Sequence, residues 1–195
     1  MKKGLIVLCL LLIPATVFAS AFGLKAGVVA KYDKNLGDLT TVSSVSDIHF
    51  PQDFGFGADV NVRALFIDAD MTAFFGANSS NTAVIDGLMS LNFGLDLANI
   101  RLSLGAGFGY VYNYSNAEFL LKGTTDASTK LGEQIKNSPI NLRAAVGIDL
   151  DKINISVFGI YNTAQSFNSF SFKDMFDGFD WKNIQVGVGA SFNLI

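Results

Sequence analysis

The sequence predicts an all-β protein, namely a closed eight-stranded antiparallel up-and-down transmembrane barrel. Three observations predict this fold: an excess of apolar residues, their recurrence at every second position, and an alternation of short and long connections. The chain has 195 residues, of which 50% are hydrophobic and only 16% are charged, whereas soluble domains are about 25% charged. After the first twenty positions, no apolar run reaches the roughly 18 residues that a membrane-spanning helix needs. The apolar residues are therefore spread along the chain, and its length suits one domain.

The amino terminus has the features of a secretory signal peptide. Lys2 and Lys3 give it a basic start, residues 5–13 form an apolar core, and cleavage is expected after Ala19 or Ala21. The predicted domains are 1–19 for the signal peptide and 20–195 for the β-barrel.

Cleavage changes both the cysteine content and the charge of the chain. It removes Cys9, the one cysteine, so the mature protein has no disulfide and no thiol chemistry. It also removes two lysines, which takes the net charge from −3 to −5. A net-acidic chain without a basic run is not expected to bind nucleic acid.

Apolar residues alternate with small or polar residues along most of the mature chain, which is the period of half-buried strands. In one such segment Phe54, Phe56 and Val60 point to one side, while Asp59 and Arg63 point to the other. The eight predicted strands are about 22–32, 53–64, 67–76, 82–97, 100–113, 140–150, 153–162 and 182–194.

The connections between these strands alternate in length. Tight turns are predicted near 65–66, 98–99 and 151–152, and longer loops at roughly 33–52, 77–81, 114–139 and 163–181. The loop at 114–139 has room for a short helix, but its periodicity is too brief, so we interpret it as a loop. Short turns at one end and long loops at the other describe an up-and-down meander.

Periodicity alone does not decide which face of the closed sheet is inside, because a soluble lipocalin-like barrel has an apolar lumen. Composition decides between the two arrangements. A soluble exterior has roughly 25–35% Lys, Arg, Glu and Asp, whereas the polar faces here carry mainly Gly, Ser, Asn, Asp and Arg. Small residues suit the narrow lumen of an eight-stranded barrel. The apolar face is therefore predicted to face lipid, in a closed wall that pairs every backbone group.

Aromatic residues gather on the apolar face where an interfacial girdle is expected. They lie near the long-loop ends of their strands, at Tyr32, Phe54, Phe75, Tyr110, Tyr112 and Tyr161. Strands of about ten residues, tilted near 45°, span an apolar band of about 25 Å.

Charged residues flank the short turns on the polar face. Arg63 and Asp68 lie across the first turn, and Asp96 and Arg101 lie across the second, so each pair is predicted to meet inside the barrel. The predicted lumen network is Lys25, Asp59, Arg63, Asp68, Asp70, Asp96, Arg101, Arg143 and Asp149. We interpret it as an ion-pair plug that fills the lumen and fixes strand register, in preference to a conducting or binding role.

The signal peptide, the amphipathic strands and the alternating loop lengths together resemble the small eight-stranded outer-membrane barrels of the OmpA and OmpX type. The resemblance covers the whole mature chain and rests on pattern. Such barrels usually end in an aromatic residue, whereas the last aromatic residue here is Phe192. The resemblance implies insertion into the outer membrane of a diderm bacterium, with loops outside and turns in the periplasm. It implies as partners the outer-membrane lipid, periplasmic chaperones and the barrel-assembly machinery.

The residues do not favour an enzyme, a metal site or a cofactor. His49 is the one histidine, with Asp47 nearby, and a lone loop histidine is typically solvated surface. Asp174, Asp177 and Asp180 recur at a spacing of three, which is not the pattern of a calcium loop.

We therefore predict a monomeric, non-enzymatic outer-membrane protein that acts through its extracellular loops, either as an envelope-structural protein or in surface adhesion and host contact. The sequence identifies no extracellular ligand. The alternative is a porin-like passive carrier or narrow channel for small hydrophobic or very small polar solutes. A continuous charged plug in the lumen favours the first function, and an open channel favours the second.

Overall fold

The computed structural model describes residues 22–41, 48–77, 83–126 and 128–195, and the predicted signal peptide at 1–19 lies outside them. The strands are β1 (Phe22–Tyr32), β2 (Phe54–Ala64), β3 (Ile67–Ala77), β4 (Ala83–Leu97), β5 (Ile100–Asn113), β6 (Glu118–Leu121), β7 (Pro139–Leu150), β8 (Ile153–Ser166) and β9 (Ile184–Asn193). Short helices lie in the connections, at α1 (Leu36–Thr40), α2 (Leu131–Asn137) and α3 (Phe172–Asp177), with a 3-10 turn at Trp181–Asn183. Across the described ranges, no helix is long and apolar enough to span a bilayer.

Eight of these strands close into one antiparallel barrel, which confirms the predicted fold. Within the ring, each strand pairs with the next along the chain, except that β5 pairs with β7. The short strand β6 pairs with β5 but stands outside the ring. The ring closes where β1 pairs with β9, for example at Ala30 and Val188. The predicted strands differ from the observed ones mainly at their loop ends, since β8 runs on to Ser166 and β9 begins at Ile184.

The connection between β5 and β7 holds regular structure where the sequence predicts a loop. The pairing of β5 with β7 stops where Phe108 lies opposite Ile140, whereas β5 itself continues to Asn113. The short strand β6 covers this exposed edge, and α2 follows it. A four-residue strand that pairs with a free edge has too short a pattern to be recognised in the sequence.

The two faces of the barrel wall differ as the alternation predicts. On the outside, Val28, Leu91 and Leu104 are 66%, 65% and 65% exposed. On the inside, Val29 and Asn92 are 6% and 2% exposed. The apolar face is therefore the exterior of the barrel, and the polar face lines its lumen.

Two inward-facing glycines show how closely neighbouring strands approach in the coiled wall. A Cβ atom at Gly57 would lie 1.8 Å from the carbonyl oxygen of Ala73, and one at Gly107 would lie 2.0 Å from the carbonyl oxygen of Met89. No side chain fits at such distances, so the curvature of β2 and β5 requires glycine at these positions.

The short turns between strands each contain a residue in the left-handed region. Leu65, Ala98 and Asp151 have φ angles of 57°, 57° and 59°. Tight hairpins need positive φ because their twist must match that of the strands. Leu65 and Ala98 adopt this conformation although neither is a glycine or an asparagine.

Candidate functional site

Side chains divide the lumen into three layers between the turn end and the loop end of the barrel. An ion-pair network occupies the turn half, an apolar belt lies above it, and a polar vestibule opens at the loop end. The alternation of each strand builds these layers, because every second residue points inward.

Arg101 lies at the centre of the ion-pair network. Its Nε and Nη2 each donate to the carboxylate of Asp68 at 2.8 Å, and its Nη1 lies 2.8 Å from a carboxylate oxygen of Asp96. Arg63 lies 3.6 Å from the carboxylates of both Asp68 and Asp96. The two guanidinium groups and the two carboxylates therefore neutralise one another, with Asp68, Arg63 and Arg101 buried.

The strand register places Arg63 opposite Asp68 and Asp96 opposite Arg101. The shortest contact of Asp68 is nevertheless with Arg101, which stands two strands away. Arg101 reaches Asp68 by lying across β4 at Gly94, where a Cβ atom would be 2.1 Å from the guanidinium Nη2. Gly94 is thus part of the network, because its lack of a side chain leaves room for the guanidinium.

A second cluster surrounds Asp70. Its carboxylate lies 2.8 Å from Nη1 of Arg143 and accepts a hydrogen bond of 2.8 Å from Nδ2 of Asn61. The side-chain amide of Asn92 donates to the same carboxylate. The Arg143 guanidinium also lies over the ring of Phe158, 5.3 Å from its centroid. This cluster joins the network to the apolar belt.

Lys25 and Asp149 complete the inner face of the turn half. Nζ of Lys25 lies 2.7 Å from Asp149, which also accepts a hydrogen bond of 2.9 Å from Nδ2 of Asn154. Asp59 accepts a hydrogen bond of 2.5 Å from the Thr72 hydroxyl. The structure thus places on the inner face every residue of the predicted lumen set: Lys25, Asp59, Arg63, Asp68, Asp70, Asp96, Arg101, Arg143 and Asp149.

The apolar belt lies directly above the network. It consists of the buried side chains Val29, Phe74, Leu88, Phe158 and Ile160. The cavity that remains among the side chains of the network has a volume of about 50 Å³. A space of that size holds a few water molecules at most, so side chains fill most of the turn half.

The vestibule is a partly open cavity of about 330 Å³ above the belt. Lys31, Asp86 and Lys122 carry its charges, with Nζ of Lys122 2.6 Å from a carboxylate oxygen of Asp86. These residues are not among those predicted from the sequence. Lys31 and Asp86 share the polar face of β1 and β4, a signal that could have found them. Lys122 enters from the connection after β6, and no periodicity indicates its position.

Other parts of the chain cover three of the six rings of the predicted aromatic girdle. Tyr32, Tyr110 and Tyr161 are only 5%, 2% and 8% exposed. Phe119 of β6 stacks on Tyr110 with the ring centroids 5.5 Å apart, and Phe179 lies 4.9 Å from Tyr161. Loop aromatic residues thus lie over strand aromatic residues at the loop end, which the sequence of a single strand does not reveal.

The other three rings of the girdle keep part of their surface open. Phe75 is 59% exposed, and Phe54 and Tyr112 are half-buried. Phe54 packs against Tyr32 and Tyr112 against Tyr114, with centroid distances of 5.7 Å and 5.3 Å. Five of the six predicted girdle rings therefore pack against another aromatic ring, and Phe75 keeps most of its surface exposed.

His49 lies in the first long loop and is mostly exposed, and Asp47 lies outside the described residues. The backbone N–H of His49 donates to the Asp53 carboxylate at 2.9 Å, and Nζ of Lys34 lies 2.8 Å from the same carboxylate. The hydrogen bond from Lys34, followed by that from the His49 amide, holds the pKa of the Asp53 carboxyl below its usual value. Within the described ranges, no group of three or more His, Cys, Asp or Glu side chains is placed to hold a metal ion.

A closed eight-stranded barrel with an apolar exterior and a charged lumen defines the class of small membrane β-barrels. Among solved structures, the chain is similar to Neisserial surface protein A, with 14% identity over 89% of this chain and 96% of that chain, at a TM-score of 0.39. It is also similar to Ail, the attachment invasion locus protein of Yersinia pestis, in complex with the heparin analogue sucrose octasulfate. That match has 13% identity over 89% of this chain and 97% of that chain, at a TM-score of 0.39. No model of a known protein family and no curated protein matches the chain.

Proposed function

We infer that this chain is a non-enzymatic protein of the outer membrane of a diderm bacterium, whose barrel supports a loop end that makes contacts outside the cell. The observation that carries this function is the content of the lumen. The ion-pair network and the apolar belt occupy its turn half, whereas the vestibule and the long loops lie at the other end. A barrel filled in this way suits an envelope-structural or surface-contact role.

The proposed location rests on the outer face of the barrel. Exposed apolar side chains surround it, and their burial in hydrocarbon is favourable, while closure of the wall satisfies the backbone. Export by the predicted signal peptide, periplasmic chaperones and the barrel-assembly machinery would deliver the chain, with its short turns in the periplasm. One chain closes the ring by itself, which supports a monomer.

The alternative function, a passive carrier or narrow channel for small solutes, has less support. The vestibule offers an entrance, but the apolar belt and a cavity of only about 50 Å³ lie below it. A hydrated ion would have to shed water to pass an apolar constriction and would then meet paired charges.

Addition of the purified, folded barrel to a planar lipid bilayer separates the two functions. We expect no steady unit conductance, and a heat-modifiable shift in gel mobility verifies that the same sample is folded. Steady conductance from the folded protein would contradict the filled lumen and would establish the channel.

The surface-contact role needs a separate test in cells. Bacteria that express the full chain are compared, on epithelial cell monolayers, with bacteria that express a variant in which residues 167–180, between β8 and the 3-10 turn, are replaced by a short Gly-Ser turn. We expect the variant to adhere less while remaining folded in the outer membrane. Equal adherence of both strains and of a strain without the protein would leave only the envelope-structural role.

A further inference from the structure

The vestibule carries polar groups from most of the way around the barrel. Its wall includes Lys31, Asp86 and Lys122, together with the side-chain amides of Asn35, Asn141, Asn162, Asn183 and Gln185. Its floor is the upper surface of the apolar belt, formed by Phe74, Leu88 and Ile160. A concave site with an apolar floor and convergent polar groups has the general form of a small-molecule site, and its volume is at the lower end of such sites.

Lys31 is a buried lysine whose ammonium group has no short contact to a carboxylate among the described residues. It is only 8% exposed, so its ammonium is largely removed from water. Its described contacts are nevertheless long, at 3.4 Å to Asp33, 3.9 Å to Asp86 and 4.9 Å to the centroid of the Phe74 ring. Charge-assisted hydrogen bonds of an ammonium are usually about 2.7–2.9 Å long. The ammonium therefore has donor capacity that a group in the vestibule can use.

The charges of the vestibule determine what kind of ligand it accepts. Lys31 and Lys122 contribute two positive charges to the wall, and Asp86 contributes one negative charge. A second negative charge comes from Asp33, which does not line the cavity but lies 3.4 Å from Nζ of Lys31. An anionic ligand would approach the lysines at the cost of facing both carboxylates. A ligand without net charge meets no such repulsion.

The side-chain amides narrow the ligand class further. A side-chain amide has both donors and an acceptor, and part of this capacity is used within the chain: Nδ2 of Asn141 donates to Pro139, Nε2 of Gln185 donates to Asp33, and Oδ1 of Asn162 accepts from Ala164. The remaining amide donors and acceptors line the cavity together with the lysine ammonium groups and the Asp86 carboxylate. Hydroxyl groups also donate and accept, so a polyhydroxyl ligand matches this mixed lining. The apolar floor, in turn, matches the C–H face of a sugar ring. We propose that the vestibule binds an uncharged saccharide unit of one or two rings.

The inference rests on the proposed function, because the vestibule must face the outside medium to meet a surface glycan. It deepens that function by naming the class of ligand, an uncharged saccharide, that the loop end of the barrel would contact. A failure of the saccharide proposal can be told apart from a failure of the proposed function. A barrel that binds no sugar can still be closed to ions, whereas conductance across a planar bilayer would refute the proposed function itself.

The test is saturation-transfer NMR on the full mature chain in lipid nanodiscs, with N-acetylglucosamine and lactose as uncharged probes and N-acetylneuraminic acid as the acidic probe. We expect saturation transfer to the uncharged sugars at millimolar concentrations. Lys31→Met removes the donor but keeps the apolar stem, and we expect it to weaken binding by about tenfold or more. The matched control, Lys173→Met, changes an exposed lysine of α3 and should bind as the wild type does.

A second variant keeps the proposal testable if Lys31→Met fails to fold. Gln185→Phe fills the vestibule without removing a charge, and it should abolish binding while heat-modifiable mobility shows a folded barrel. The proposal is overturned by saturation transfer only to the acidic sugar, or by no transfer to any sugar from the folded wild type. Equal transfer from the wild type and from folded Gln185→Phe would also overturn it, because binding would then lie elsewhere.

Discussion

Arg101 holds both carboxylates of the central network, so its truncation should be more costly than that of the other lumen cations. The change leaves Asp68, which is 2% exposed, and Asp96 without their shortest contacts to a cation. We expect Arg101→Ala to lower the free energy of unfolding by roughly 3–5 kcal/mol, because a buried carboxylate loses its partner. Denaturant unfolding in detergent measures the change. Lys173→Ala, at an exposed position, is the control and should stay within about 0.5 kcal/mol of the wild type.

A double-mutant cycle then tests whether Arg101 and Asp68 act as a pair. The double change Arg101→Ala with Asp68→Ala should destabilise the barrel by less than the sum of the single changes. The same cycle for Arg63 and Asp68 should give a smaller coupling energy, because those groups lie 3.6 Å apart. Additive effects in both cycles would show that these charges do not meet in the folded barrel.

These contacts also mark how far residue-level prediction reaches. The five-residue separation across a two-residue turn predicts that Arg63 lies opposite Asp68, and the register agrees. The contact from Arg101 to Asp68 skips a whole strand and depends on Gly94 leaving room for a guanidinium. Local sequence spacing describes only neighbouring strands, so such a contact needs the curvature of the closed barrel.

Asp53 provides a pH-dependent contact in the first long loop, outside the barrel wall. The hydrogen bond from Lys34, and then that from the His49 amide, lower its pKa in the folded state below the usual 3.8. The contact therefore stabilises the loop above the pKa of the unfolded chain, and this stabilisation is lost as the pH falls through the folded pKa. We expect an NMR titration of the Asp53 carboxyl carbon to have its midpoint below 3.8. Lys34→Met should move that midpoint upward, and an unchanged midpoint would show that the two groups are not paired.

The short turns between the strands carry conformational strain that a substitution can release. Ala98 has a φ of 57° in the second short turn, where glycine is favoured over alanine. We expect Ala98→Gly to raise the free energy of unfolding by roughly 0.5–1 kcal/mol. The same chemical change at Ala106, in the middle of β5, should lower it by a similar amount, because glycine weakens a strand. If both variants shift the unfolding midpoint in the same direction, the left-handed turn does not carry the strain.

Strand bounds were predictable because the pattern of each strand is long and repeats at every second residue. The predicted strand at 100–113 matches β5, and the one at 22–32 matches β1. β6 was not predictable, since its four residues gain their structure from the free edge of β5. The vestibule was predictable only in part, because Lys31 and Asp86 follow strand alternation while Lys122 enters from a connection.

At the scale of the whole molecule, the barrel places its apolar surface outside and its charges inside, which is the reverse of a soluble barrel. The exterior carries side chains such as Val28 and Leu104, and the turn half of the lumen carries paired ions such as Arg143 and Asp70. The apolar exterior is stabilised by contact with hydrocarbon, and the charges in the lumen are stabilised by pairing with one another. The roles proposed for the lumen, the vestibule and the loops all depend on this orientation.

The most direct test of that orientation is the free energy of folding into lipid vesicles for two arginine variants. Ala106 lies on the exposed outer face of β5, away from both of its ends, and Ser128 is exposed in the loop between β6 and α2. We expect Ala106→Arg to cost about 2–4 kcal/mol and Ser128→Arg to be nearly neutral, because only the first places a charge in hydrocarbon. Equal tolerance of the two substitutions, in variants that both fold, would contradict the account and favour a soluble, lipocalin-like barrel.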